Sequence, residues 1–224
     1  MQNSQSPNTG KASFYRWATA LALITIFYNL VEGLVSVFFG IEDRTVALFG
    51  FGMDSFVEVI SGAGIWHMIR RMRRNSSEDQ GRFEGTALRI TGTAFYILTI
   101  GLVFTALADI YKGRRPATTL WGIVVAAVSI VTMWMLIHYK VKIGKRFSSR
   151  ALLADAACTK TCLYLSIVLL IASFGYEATG LGLMDSLGAI GIAIFSFQEG
   201  REAFRKARGE LCCCGAQCSD LNKG

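Results

Sequence analysis

Two pairs of ligand-type side chains, each spaced four residues apart, are the part of this sequence best suited to chemistry. Asp54 and Glu58 form the first pair, and Cys158 and Cys162 form the second, 104 positions further along the chain. In a helix, residues four apart share one face, with Cβ atoms about 5–6 Å apart. Carboxylates and thiolates bind divalent metal ions once they are deprotonated. Two helices that carry these pairs could enclose one cation between them.

The acidic pair also predicts a link between metal binding and protons. Asp54 and Glu58 fall in a largely apolar segment, where two neighbouring carboxylates cannot both stay ionised. We therefore expect the empty site to hold a proton. An entering divalent cation would displace it together with any thiol protons, because ligands bind in their deprotonated form.

Two more acids are candidates for the same site. Asp155 lies three residues before Cys158, on the same side of a helix. Glu32 shares a helical face with Asn29 and Ser36 in the first apolar segment, and a charged side chain at that depth is expected to face a bundle interior or a wet cavity. Glu32 could be a structural hydrogen-bonding group, a proton relay or an accessory ligand. The candidate metal ligands are Asp54, Glu58, Cys158, Cys162, Asp155 and Glu32.

The elements that must position these residues are membrane helices. Of 224 residues, 52% are hydrophobic and only two are proline, which is too apolar for an ordinary soluble domain. The alternation that a transmembrane β-barrel requires is absent from the sequence. Each apolar segment is near or above the roughly 20 residues that cross a bilayer as a helix. We predict an all-α integral membrane protein with six transmembrane helices, near residues 18–41, 45–69, 87–111, 120–139, 151–174 and 181–198.

The basic residues set the expected orientation in the membrane. Of the 23 lysines and arginines, 18 precede the first segment, follow the sixth, or lie between segments two and three or four and five. Only four lie in the connections on the opposite side. Because positive residues favour the cytoplasmic side, we predict a multi-pass protein of the cell or inner membrane with both termini in the cytoplasm. The net charge of +7 therefore needs no nucleic-acid partner.

The two ends of the chain are predicted to be tails around one domain. Residues 1–13 are expected to form a disordered cytoplasmic tail, residues 14–205 the six-helix domain, and residues 206–224 a cysteine-rich cytoplasmic tail. The first segment is expected to be a retained helix, because no small-residue cleavage site follows it. The tail thiols could bind soft metals, carry palmitoyl groups or stay idle. These thiols belong to Cys212, Cys213, Cys214 and Cys218.

Both motifs resemble the cation diffusion facilitator family, whose second and fifth helices each carry a pair of ligands spaced i,i+4. Residues 47–58 follow the pattern Ala-Leu, then Asp-Ser and an acid. Residues 154–162 follow the pattern Ala-Asp, then two ligand positions, here both cysteine. Asp185 resembles the acid at the start of the family's sixth helix, and either a structural or an outer ion-gathering role is open for it. The resemblance covers about residues 15–205.

The resemblance implies that the chain is a proton-coupled transporter working in the efflux direction and not an enzyme. Its cargo would be a divalent cation held between helices two and five, its partners protons and the lipid bilayer, and a homodimer is compatible with it. No resident cofactor is expected. The chain departs from the family pattern because Glu58 replaces aspartate, both helix-five ligands are cysteines and the usual cytoplasmic domain is not expected. Two oxygens and two sulfurs favour zinc or cadmium.

Two alternatives from other classes remain open. A metal sensor or scaffold in the membrane could use the same ligands without transport. A membrane thiol oxidoreductase could use Cys158 and Cys162, although three residues separate them, not the two of a Cys-x-x-Cys motif.

Overall fold

Six helices make up the described part of this computed structural model, which covers residues 7–72, 80–146 and 150–208. No strand occurs within those ranges, so the all-α prediction is confirmed. The cysteine-rich tail, from residue 209 onwards, lies outside the described residues. The helices are α1 (Pro7–Glu42), α2 (Val46–Met72), α3 (Gln80–Lys112), α4 (Leu120–Arg146), α5 (Arg150–Thr179) and α6 (Leu183–Ala207).

Several helices continue beyond the apolar runs that predicted them. α1 begins at Pro7, inside the segment expected to be a tail. α4 continues to Arg146 and α6 to Ala207, whereas their apolar runs end near residues 139 and 198. The added residues include Lys, Arg, Glu and Ala, which are good helix formers. Hydropathy therefore locates the helices and composition extends them.

α2 is the central helix of the bundle. It packs against α1, α3, α5 and α6, while α3 pairs with α6 and α4 pairs with α5. Small residues allow these close approaches. A Cβ added to Gly52 would lie 2.8 Å from Ser36 Cβ on α1. A Cβ added to Gly188 on α6 would lie 2.3 Å from Ala172 Cβ on α5.

The three short connections between helices lie together at one end of the bundle. The Ala117 amide, between α3 and α4, donates to the Asp43 carbonyl between α1 and α2, at 2.8 Å. Gly182, between α5 and α6, approaches the Arg114 carbonyl so closely that a Cβ would lie 2.5 Å from it. Gly180 ends α5 with a φ of 66°, a conformation that glycine adopts at little cost. These contacts fix the relative positions of the helices at this end.

Carboxylates from neighbouring helices bind the N-termini of α2 and α4. Asp185 on α6 is buried and accepts hydrogen bonds from the Val46 amide at 2.8 Å and the Ala47 amide at 3.2 Å. Glu177 on α5 accepts one from the Thr119 amide at 2.6 Å. The first amides of a helix have no partner within it and favour a negative charge. Asp185 thus has a structural contact, which favours the structural role over ion gathering.

Four helices contain stretches long and apolar enough to cross a membrane. The surfaces of these helices expose large apolar side chains such as Phe27, Phe104 and Phe174, as expected for contact with lipid. α2 and α6 are not in this group when only the described residues are considered, so six spans remain a prediction. The four stretches are Trp17–Glu42, Leu88–Lys112, Leu120–Arg146 and Cys158–Thr179.

Candidate metal centre

Glu58 lies where three helices meet. One oxygen of its carboxyl group contacts the Sγ of Cys162 on α5. The other oxygen accepts a hydrogen bond of 2.8 Å from Nδ2 of Asn29 on α1. The predicted acidic pair and the predicted cysteine pair therefore touch through one residue of each.

Asp54, one helical turn from Glu58, faces α6. Its carboxyl group is buried and accepts a hydrogen bond of 3.0 Å from the Ser196 hydroxyl. The negative charge of Asp54 lies close enough to repel that of Glu58. The two acids thus belong to one electrostatic unit, although different helices hydrogen-bond to them.

Glu32 faces the interior of the bundle, as predicted. It is buried, and its two oxygens accept hydrogen bonds from Tyr28 Oη at 2.9 Å and from Ser55 Oγ at 3.1 Å. Ser55 directly follows Asp54 in α2. Glu32 therefore links α1 to the helix that carries the acidic pair, and each of its oxygens already has a partner.

The cysteine pair on α5 has two different environments. Cys162 is buried against Leu21, Met133 and Leu136, whereas Cys158 is half-buried. The side chain of Asp155 lies outside the described residues. Among the side chains that are described, no three from His, Cys, Asp and Glu stand in the arrangement of a metal site. The contact between Glu58 and Cys162 is the point where the candidate ligands of the two helices come together.

Glu199 on α6 is an acid near the site that the sequence did not single out. It accepts a hydrogen bond of 2.8 Å from Thr161 Oγ1 on α5. Its charge, like that of Glu32, acts on both Asp54 and Glu58. The signal was present in the sequence, because Glu199 follows Ser196 by three residues on one helical face.

Comparison with known proteins decides the family. A family model described as the cation efflux transmembrane domain matches residues 19–212. The chain belongs to the cation efflux family. The resemblance inferred from the two motifs is confirmed, and the chain is a membrane protein.

Curated members of the cation efflux family match part of this chain. The manganese efflux system protein MneP of Bacillus subtilis (strain 168) is 27% identical over 141 residues, 61% of this chain and 47% of its own. MneS of the same organism, also a manganese efflux system protein, is 25% identical over 65% of this chain and 52% of its own. The magnetosome protein MamB of Magnetospira sp. (strain QH-2) is 22% identical over 79% and 61%. The chain spans about half the length of the first two relatives.

Lys140 is a basic residue that the sequence prediction places wrongly. Charge counting puts it in the connection between helices four and five, but it lies inside α4 and is completely buried. Its Nζ donates a hydrogen bond of 2.8 Å to Thr159 Oγ1, next to Cys158 in α5. The buried face of α4 runs through Met133, Leu136 and Lys140, so extending the helical period would have found it. Lys160, two residues from each cysteine of the pair, is exposed.

Proposed function

We propose that this chain exports a divalent metal cation across the membrane in exchange for protons. The cation is held between α2 and α5 by Asp54, Glu58, Cys158 and Cys162. The observation that carries the proposal is the partly buried contact between the Glu58 carboxyl group and the Cys162 thiol, two residues far apart in sequence. Asp155 adds a further ligand.

The chemistry of these groups supports exchange of metal for protons. Glu58 and Cys162 touch in a partly buried setting, where a charged group without a partner is costly to the extent that it has lost water. Protons satisfy this requirement when the metal is absent, and a divalent cation satisfies it when the metal is bound. Each ligand gives up its proton to the entering metal, so loading the site releases protons. In this scheme Glu32, hydrogen-bonded through both oxygens, is an accessory group beside the ligands.

We assign zinc or cadmium as the cargo. Sulfur ligands favour softer cations, whereas manganese prefers oxygen. The names of two relatives state manganese efflux, so manganese is the competing cargo. Cys162 is the distinguishing feature, because its sulfur lies against a predicted carboxylate ligand.

The proposal includes six membrane spans, two cytoplasmic termini and a homodimer in the cell or inner membrane. The four basic residues of the sparsely charged side all lie in or beside the short connections at one end of the bundle. They are Arg44, Lys112, Arg114 and Arg115. The other end carries the basic majority. This asymmetry favours the cytoplasm for the latter end.

Metal flux into proteoliposomes tests the function. The purified chain is reconstituted, and uptake of zinc, cadmium, manganese, cobalt and iron is followed in parallel. We expect zinc and cadmium to move faster than manganese. Binding without flux would favour a sensor or scaffold, and faster manganese flux would contradict the assigned cargo.

A further inference from the structure

The side-chain amide of Asn29 on α1 has a hydrogen-bond partner at its nitrogen but none at its oxygen among the described residues. Its side chain is 1% exposed. Nδ2 donates to Glu58 Oε2 at 2.8 Å, while Oδ1 is buried and has no hydrogen-bond partner in the described part of the chain. A buried acceptor without a donor has lost its water and gained nothing in exchange. Such an atom calls for an explanation.

The orientation of the amide follows from its neighbour. Nδ2 of Asn29 donates to Glu58 Oε2, which leaves Oδ1 as the unpartnered half of the amide in the described part of the chain. The C–O and C–N bonds of an amide are about 1.2 and 1.3 Å long, so Oδ1 lies within about 5.4 Å of Glu58 Oε2. The other oxygen of Glu58 contacts Cys162. The side chains of Asn29, Glu58 and Cys162, from three helices, are therefore joined in one chain of contacts.

We propose that Asn29 Oδ1 is a ligand of the transported cation. Amide oxygens bind divalent cations through a lone pair and carry no proton to displace. Nδ2 of the same group holds Glu58 in place while Oδ1 faces the cation, so α1 joins α2 and α5 in forming the site. This inference rests on the proposed function, because it takes the cation to bind beside Glu58 and Cys162.

A neutral ligand has a signature that a carboxylate lacks. Loss of Asn29 Oδ1 weakens metal affinity but leaves the number of protons released per metal unchanged, because the amide has no proton to give. Loss of Glu58 changes both quantities. Asn29→Asp keeps an oxygen at the same position and loses the donor to Glu58. This variant therefore distinguishes a ligand role for residue 29 from a role in positioning Glu58 only.

Equilibrium binding of cadmium to the purified full chain in lipid nanodiscs tests the proposal without transport. We expect Asn29→Leu to weaken affinity by about tenfold or more and Asn29→Asp to bind at least as tightly as the parent. The matched control is Ser36→Ala, since Ser36 is also buried on α1 with an unpartnered hydroxyl group; its affinity should stay within about twofold of the parent.

Each outcome decides between the claims. Parent-like affinity in Asn29→Leu overturns the ligand role. Equal weakening in Asn29→Leu and Asn29→Asp also overturns it, because Asn29 would then act only by positioning Glu58. If Asn29→Leu does not fold, the affinity of Asn29→Asp decides alone. A parent that binds neither cadmium, zinc nor manganese overturns the proposed function and the ligand with it.

Discussion

At the scale of residues, the contact between Glu58 and Cys162 combines a hard ligand and a soft one. Asn29 holds the carboxyl group from one side, and Leu21, Met133 and Leu136 surround the thiol. In the proposed function, a cation bound here exchanges part of its hydration shell for these protein ligands. The sulfur then determines which cations gain most from that exchange.

Replacing the sulfur ligands should change the metal preference. We expect Cys158→His combined with Cys162→Asp to retain transport and to raise the ratio of zinc flux to cadmium flux by about tenfold, because harder ligands replace polarizable sulfur. Flux of both metals is measured in the same vesicles. Lys160→Gln, an exposed change on the same helix, is the control and should leave the ratio unaltered. An unchanged ratio in the double variant would argue against both cysteines as ligands.

At the scale of elements, α2 is held in position by contacts from its neighbours. Asp185 binds its first amides, and Gly52 lets it approach α1 closely. α5 is tied to α4 by the hydrogen bond between Lys140 and Thr159. The helices that carry the two candidate ligand pairs are thus each tied to a neighbouring helix by a polar contact, at the start of α2 and beside Cys158 in α5.

The contact made by Asp185 predicts a stability effect without a binding effect. Asp185→Ala should lower the free energy of unfolding by about 1–2 kcal/mol, the usual cost of losing a helix cap, whereas Asp185→Asn should cost less because its amide oxygen still accepts. Thermal unfolding in detergent measures the first quantity and the metal concentration at half-maximal flux the second. Glu42→Gln, an exposed acid at the same end, is the control. A stable Asp185→Asn variant with weakened metal affinity would support ion gathering instead.

At the scale of the whole molecule, apolar runs predicted all six helices, because a run of about 20 apolar residues is long enough to cross the hydrocarbon layer as a helix. Spacing predicted that Asp54 and Glu58 lie on adjacent turns. It could not predict which of them meets Cys162, since that depends on how α2 is rotated against α5. The helical period of α4 does place Lys140 on the buried face, but charge counting assumes that basic residues near a helix end reach water. Which distant residues such side chains contact depends on packing between helices.

The predicted orientation gives one further test on the whole molecule. We expect Asp220→Cys, in a chain whose other cysteines are replaced, to resist an impermeant thiol reagent added outside intact cells, because the basic majority keeps the C-terminus inside. Arg114→Cys, at an exposed position in an outer connection, should react and serves as the positive control. Labelling of Asp220→Cys from outside would reverse the orientation.

The central claim is that the acids of α2 hold the cation in exchange for protons, and the metal-triggered pH change inside vesicles tests it most directly. Asp54→Asn and Glu58→Gln are compared with the parent and with Lys160→Gln, all at equal protein density. The parent and Lys160→Gln should move protons when zinc or cadmium is added, because their carboxyl ligands are intact. Both acid variants should lose this response, since an amide has no proton to release and binds the ion weakly. Parent-like exchange of metal for protons by Asp54→Asn or Glu58→Gln would contradict the account.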